Sequence, residues 1–504
     1  MTFCITQRCG LCRFRLHDGE RIVAGESSHP LVIAPLIPTK VEDAGQISDD
    51  MVYEDNAVDQ RGSSYMKCLG DCSHWEGRTT GCHVECANQV SPWPVSEAVK
   101  VLAFNYTPTP SECDIREAWL RQTFVAFLNG TFRRLPPELC SKIAANLCIR
   151  TYAVACAKAL RAVRGGEFSL CLSSKIWGRF TEFEGSSYLS SLSNNGDDYH
   201  NHLIFEPDPT SALGRFVYLA EDYFGVRKMF FSYPTPDVEE LRGLWWRVVD
   251  LERSPTLAAR SRCLKLRWFV SKGPNSNQHR WANVLWAVPP STAPRLIKLE
   301  VSPEVERMSV VSCNDPSVVA YSVHWNTRIM SIHTHTREKE LSMYHNRANG
   351  IWLFFPLYDH ENIAEIWIRG TTKQEIALIL TTTRGRSLVF GPHLDILPTT
   401  RLALIDLPSQ DSSSRIFVEE SSVGIRNVAF ESSNPEPALS PSVSLPQPTY
   451  RAPVSNPQTP WFYSTASLDD VEDVRPCQRS IGGRNIIIGL LLRYVDGHEA
   501  CLGQ

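Results

Sequence analysis

No run in this 504-residue chain is apolar for long enough to cross a bilayer. The longest, Ile486 to Leu492, contains Gly489 and falls far short of the ~20 residues a spanning helix needs. Charge of one sign is lacking too: 51 Lys and Arg against 55 Asp and Glu give a net charge of −4, no field for nucleic acid or a membrane surface. The opening residues Met1 to Gln7 (MTFCITQ) lack the apolar core of a secretory signal. These absences lead us to expect an intracellular protein, nuclear or cytoplasmic, with no transmembrane segment. Catalytic signatures are missing as well. The chain holds no nucleophile elbow, phosphate loop, dinucleotide fingerprint or His-Glu-x-x-His.

What is present is cysteine. Seven of the 16 cysteines lie before residue 87, and clustering without a secretory signal favours metal over disulfides. Cys9-Gly10-Leu11-Cys12 is a Cys-x2-Cys knuckle, and His83-Val84-Glu85-Cys86 supplies His-x2-Cys. Two close pairs of thiolate and imidazole are what a tetrahedral structural zinc requires, with no position left open for a catalytic water. Cys9, Cys12, His83 and Cys86 are therefore the expected zinc ligands, with Cys82 competing for the place of His83. Cys68, Cys72 and His74 form a second candidate group. The two pairs resemble half of a LIM-type or related treble-clef finger, with a much longer gap. Residues 26–64 of that gap are mostly polar and acidic and read as a disordered insert. Arg13 to Ala24 reads as a hairpin turning at Asp18-Gly19. The arms of this finger hold few basic residues, which argues against nucleic-acid binding.

Beyond Asn105 to Pro110, read as a linker, Asp114 to Leu128 has a helical pattern with Trp119, Phe124, Phe127 and Leu128 on its apolar face. Leu135-Pro136-Pro137-Glu138-Leu139 then opens a second helix. Prolines are tolerated in a first turn, and Glu138 complements the helix dipole. Leu135, Leu139, Ile143 and Leu147 recur every four residues as one apolar stripe. Thr151 to Val163 is a third, alanine-rich helical run. The Leu-Pro, Glu-Leu, Ile, Leu spacing resembles an F-box. That resemblance implies docking of Leu135, Pro136, Leu139, Ile143 and Leu147 on a Skp-type adaptor of a cullin–RING ubiquitin ligase, with an unknown target protein captured elsewhere. Tyr152 to Cys156 departs from the family's usual ending of the unit.

After residue 165 the composition turns to short Val, Ile, Trp, Phe and Tyr runs, among them Phe216–Leu219, Leu244–Val249 and Val284–Val288, broken by Gly, Pro, Asn and Ser. Two segments about 110 residues apart read as strand, tight turn and returning strand. One turns at Arg384-Gly385 and the other at Asp496-Gly497, and they are candidates for an internal repeat. Leu378 to Arg386 followed by Phe390-Gly391-Pro392 resembles jacalin-type β-prism lectins, without that family's glycine–aspartate sugar loop. Residues 431–460 carry eight prolines and read as an extended interruption.

The histidines His324, His333, His335 and His345 read as polar positions on a solvated strand face. Glu239-Glu240 and Asp197-Asp198 are adjacent pairs that cannot converge on one bond in regular structure. Of Trp245 and Trp246, strand alternation sends one to the core. No catalytic constellation emerges, so the expectation is a protein that binds and does no chemistry. The expected fold class is α+β multidomain: a zinc-finger-like module over 1–100, a helical F-box-like unit over 111–165, and a large, mostly antiparallel β domain over 166–504 (prism, sandwich or propeller). The order resembles fungal F-box-containing proteins of similar layout. It implies a ligase adaptor, the alternative being a free-standing β-rich, lectin-like binding protein.

Overall fold

The computed structural model describes residues 2–25, 50–58, 62–68, 78–132, 134–145, 148–163, 166–197, 202–207, 216–232, 243–251, 256–271, 284–292, 294–299, 307–337, 344, 350–370, 376–392, 401–421, 424–432, 462–481 and 484–503. Cys72, His74, Leu147, Asp198, Glu239, Glu240 and His345 lie outside the described residues, as do most of the acidic insert and nearly all of the proline-rich run. The chain forms two compact units, residues 1–279 and 280–504, and it is β-rich as expected.

The first unit opens with β1 (Thr2–Ile5), β2 (Arg21–Gly25), β3 (Met51–Val52), β4 (Ala57–Val58), β5 (Ser64–Lys67) and β6 (Arg78–His83). They make one sheet in the order β3-β2-β6-β1-β5-β4. β1 runs parallel to both β5 and β6. The expected hairpin over Arg13 to Ala24 is not formed. Gly19 does turn, at φ 84°, but β2 pairs antiparallel with β6, matching Ile22 to His83 and Val23 to Cys82. A strand with an apolar inner face takes whichever partner buries it, and here that partner lies some sixty residues on. Ile5, Leu11, Leu16, Ile22 and Tyr65 pack against Cys86, Val90, Ala98 and Leu102, the last four lying on α1 (Val84–Val90) and α2 (Val95–Leu102).

Next come α3 (Pro110–Thr131), α4 (Pro137–Ala145) and α5 (Cys148–Ala157). The segment read as a linker ends in the cap of α3. Thr109 accepts from the Glu112 backbone, Glu112 accepts from the Thr109 backbone, and Pro110 fills the first turn, so two orphan amides are satisfied at once. Leu120, Phe124 and Leu128 bury one stripe of α3, whereas Phe127, expected on that face, is 54% exposed. On α4 the buried residues are Cys140 and Ala144, packed on Phe124 and Leu128. The inward face is thus turned one residue, or about 100°, from the predicted Leu135–Leu139–Ile143 stripe. Leu135 and Ile143 lie at its margin, half-buried, and Leu139 is 45% exposed. Small side chains let α4 approach α3 closely, and their size hides them from an apolar count.

The rest of the first unit is antiparallel: β7 (Gly166–Cys171), β8 (Ile176–Phe183), β9 (Ser186–Ser193), β10 (His202–Phe205), β11 (Phe216–Glu221), β12 (Val226–Ser232), β13 (Trp245–Asp250), β14 (Thr256–Arg262) and β15 (Lys265–Ser271). β8 carries β9 and β10 on its two edges, β11 carries β12 and β13, and β14 carries β7 and β15. Leu170, Ile176, Leu189, Val217, Leu219, Leu257 and Leu266 form their shared core. Alternation sorts the tryptophan pair as expected, with Trp246 fully buried and Trp245 half-buried.

The second unit contains β16 (Leu285–Trp286), β17 (Arg295–Lys298), β18 (Arg307–Cys313), β19 (Val318–Asn326), β20 (Arg328–Thr336), β21 (Ile351–Pro356), β22 (Ile363–Gly370) and β23 (Ala377–Thr382). It continues with β24 (Ser387–Phe390), β25 (Arg401–Asp406), β26 (Ser414–Glu419), β27 (Asn427–Phe430), β28 (Val471–Ile481), β29 (Arg484–Tyr494) and β30 (Glu499–Gly503). Both predicted hairpins form. β23 turns through Gly385 (φ 77°) into β24, and β29 turns through Gly497 (φ 88°) into β30. Each is the second half of a three-strand meander, β22-β23-β24 and β28-β29-β30. His335 is buried, bonded to Ser322 Oγ at 2.9 Å and Tyr344 Oη at 3.1 Å. His324, also buried, lies 4.8 Å from the Trp352 ring. These two are core histidines, not the solvated face that was expected.

The Glu361 side chain is completely buried. It accepts from Arg386 Nε at 2.8 Å, Arg386 Nη2 at 2.5 Å and the Tyr358 backbone at 2.9 Å. Burial opposes its ionisation, but the Arg386 fork and the Thr382 hydroxyl outweigh it and hold the carboxyl below its usual range. A lowered folded value adds stability that is present above the unfolded value of about 4.3 and lost as pH falls through the folded one. Glu361→Gln is therefore expected to lower stability at neutral pH by about 2–3 kcal/mol. It should also flatten the acid limb of the second unit's stability profile, read as thermal midpoint against pH from neutral into the acid range.

Candidate metal centre

The pairing of β2 with β6 determines which residues meet at one end of the first sheet. His83 is the last residue of β6 and precedes α1, so Cys86 falls in the first turn of that helix. The knuckle folds on itself, with Cys9 N donating to Phe14 O at 2.9 Å and Arg13 N to Cys9 O at 3.0 Å. It is tied to β6 by Gly10 N donating to Gly81 O at 2.9 Å. The glycine serves this close approach: a Cβ at Gly10 would sit 2.4 Å from Thr80 Cγ2 and 2.9 Å from Val99 Cγ2.

As a result Cys9, Cys12, His83 and Cys86, all buried, place their ligand atoms within 4.8 Å of one another. Cys12 Sγ lies 3.4 Å from His83 Nδ1, and Cys86 Sγ lies 3.7 Å from the same nitrogen. The four residues expected from spacing are the four brought together, and the group could hold a metal ion. Cys82 is a neighbour outside that set. It lies beside Cys9 and the knuckle, and its sulfur is not among the four ligand atoms that converge. Cys68 is buried elsewhere in the unit. Among the described residues no other group of three or more ligating side chains converges, and the strand histidines form none.

The electrostatics of the donor set fit a cation. Burial opposes ionisation of Cys9, but bonds from the thiols of Cys12, Cys82 and Cys86 and from His83 hold it well below the ordinary thiol range. Cys12 is pushed well above that range, first by burial and then by the charge on Cys9. Cys86 is raised too, chiefly through its contacts with Cys12 and Cys9. Ionising one thiol of the cluster therefore opposes ionisation of its neighbours. A bound dication is what allows neighbouring buried thiols to ionise together.

The surroundings add a partner that spacing did not reveal. His83 presents Nδ1 to the sulfurs, and its other nitrogen, Nε2, lies 3.2 Å from Glu20 Oε2. Glu20 also accepts from Arg150 Nη1 at 2.6 Å and from the His17 backbone at 2.7 Å. A carboxylate on the far nitrogen fixes the tautomer and ring orientation of a ligating histidine. Glu20 belongs to the turn before β2 and Arg150 to α5, so no local motif joins them. Arg13, directly after the knuckle, adopts a left-handed backbone at φ 66°. Burial pulls its guanidinium down to about 10, the Cys9 sulfur opposing and the Arg116 charge adding, so it remains a cation at neutral pH.

No single helix among the described residues is long and apolar enough to cross a membrane. No protein-family model and no curated protein matches the chain. Seven chains of solved structures do. One is a prostate-specific WGA16 glycoprotein lectin, 15% identical, with the match covering 27% of this chain and 87% of that one at a TM-score of 0.16. Another is the V. cholerae biofilm matrix protein Bap1, 12% identical, covering 51% and 47% at a TM-score of 0.16. Likenesses at that score carry no argument about fold or function.

Proposed function

We propose that the chain is a binding adaptor, held at its amino-terminal end by a structural zinc and docking a Skp-type subunit of a cullin–RING ligase through α4. The β-rich remainder would capture the target. Zinc is favoured by the donors. A tetrahedral site with Zn–S about 2.3 Å and Zn–N about 2.05 Å has S···N edges of about 3.6 Å, close to the 3.4 and 3.7 Å between the sulfurs and His83 Nδ1. Four protein donors also leave no place for a substrate, in keeping with a structural role.

The observation that carries the adaptor reading is the apolar surface where α3 passes into α4. Phe127, Phe132 and Leu139 are each about half exposed or more, and Pro136 is exposed beside them. An apolar patch of this kind on a three-helix unit suits a protein partner. The half-burial of Leu135 and Ile143 against Phe124, Leu128 and Cys140 favours the other reading, a free-standing binding protein whose helices only support its strands.

Pull-down with purified Skp-type subunit separates the two. Pro136→Ser with Leu139→Lys alters only exposed positions, so the variant should keep its circular dichroism. Capture by the wild type at about 10 μM, weakened tenfold or more in the variant, supports the adaptor. A folded wild type that captures nothing at that concentration removes it.

A further inference from the structure

The first unit contains a cavity of about 530 Å³ beside the metal centre, walled by the knuckle, the segment before α3, α3 itself, the start of α5 and Tyr223. Six arginines line it: Arg8, Arg13, Arg15, Arg116, Arg121 and Arg150. Three of them are neutralised. Arg116 pairs with Glu184, Arg121 with Glu117 and Arg150 with Glu20. Arg8, Arg13 and Arg15 have no carboxylate partner among the described residues. Arg8 spends its donors on the Arg13 carbonyl and the Cys113 sulfur. Arg13 Nε is shielded from solvent and makes no hydrogen bond.

Three guanidinium groups without a carboxylate around one cavity repel one another, and among the described residues the charge facing them is that of the Cys9 sulfur near Arg13. Of the three, Arg13 is held in place 4.5 Å over the Phe104 ring, and the paired Arg116 beside it lies 5.4 Å over that of Phe14. Guanidinium groups pre-ordered on aromatic faces lose little entropy on binding, and their forks match phosphate oxygens bidentately. The volume is that of a small-molecule site. Near neutral pH a single phosphate carries at most two charges, fewer than the three guanidinium groups bring. We propose that this cavity binds a compact oligophosphate, a small molecule bearing two or more linked phosphate groups, with Arg8, Arg13 and Arg15 as its principal donors. The site stands apart from the adaptor surface on α4 and does not depend on that reading.

Calorimetric titration of the full-length chain with tripolyphosphate tests it, with inorganic phosphate and a short single-stranded oligonucleotide as comparison ligands. The variants are Arg15→Gln, which changes an exposed residue, the double Arg8→Gln/Arg15→Gln, and Arg475→Gln as an exposed control far along the sequence. The expected result is one-to-one binding of tripolyphosphate, with inorganic phosphate about tenfold weaker or more. Arg15→Gln should weaken tripolyphosphate several-fold and the double variant about tenfold or more, while Arg475→Gln leaves it unchanged. A folded wild type that gives no signal at about 1 mM tripolyphosphate overturns the proposal, as does affinity unchanged in the double variant. An oligonucleotide that binds more tightly than tripolyphosphate and is lost in the same variants would overturn it in favour of a nucleic-acid surface.

Discussion

Cys86→Ser is expected to leave purification with essentially no bound metal where the wild type carries one zinc per chain. Ser offers no thiolate, and the remaining donors, Cys9, Cys12 and His83, span only three corners of the buried group. Because the site joins β6, α1 and the knuckle, its binding free energy is part of the folding free energy. For structural zinc that apparent term is about 10–16 kcal/mol at neutral pH, so the first unit should lose most of its cooperative unfolding. Zinc content by inductively coupled plasma mass spectrometry and thermal unfolding with and without chelator read the two effects. Cys68→Ser, which alters a buried thiol outside the group, should retain full metal. Retention of zinc by Cys86→Ser would show that Cys82, already bonded to Cys9, completes the tetrahedron in its place.

Arg116→Ala should rank next. Arg116 and Glu184 are 9% and 5% exposed and are joined by two parallel bonds of 2.7 Å. A third donor, Nη1, reaches Cys12 O at 3.0 Å. Burial works against the guanidinium, but Glu184 more than compensates and raises it. Removing one partner strands a buried carboxylate, which costs about 3–5 kcal/mol. For a unit of this size that is a fall in thermal midpoint of about 5–9 °C. Arg116→Ala/Glu184→Ala should regain much of the loss, since no uncompensated charge is left behind. A double variant no more stable than Arg116→Ala would mean that the bond to the knuckle carbonyl and the ring contacts outweigh the ion pair.

The four residues of the candidate metal centre were legible in the sequence because each pair is local: Cys9 with Cys12, and His83 with Cys86. The choice between His83 and Cys82 was not, since both lie near the knuckle and only the fold brings the ligand atom of His83 together with the other three. The long-range pairing of β2 with β6 displaced the expected hairpin. The two meanders in the second unit were readable because their turns are short and centred on Gly385 and Gly497, both with positive φ. Around α4 the large apolar side chains Leu135, Leu139 and Ile143 stood out in the sequence, whereas the packed face, Cys140 and Ala144, did not, because its side chains are small. Thr109 and Glu112 did hold a capping-box spacing that marks the true start of α3. The arginine-lined cavity left no signal at all, because its six arginines are scattered from 8 to 150 and converge only through the fold.

Cys12 and His83 are 71 residues apart, so a metal held by the four residues would also act as a clasp closing one large loop. Loop-closure entropy grows only logarithmically, about 0.6 kcal/mol for each doubling of length. Halving or doubling that loop would therefore change the closure cost by only about 0.6 kcal/mol. Substitutions in the clasp itself would be felt throughout the unit.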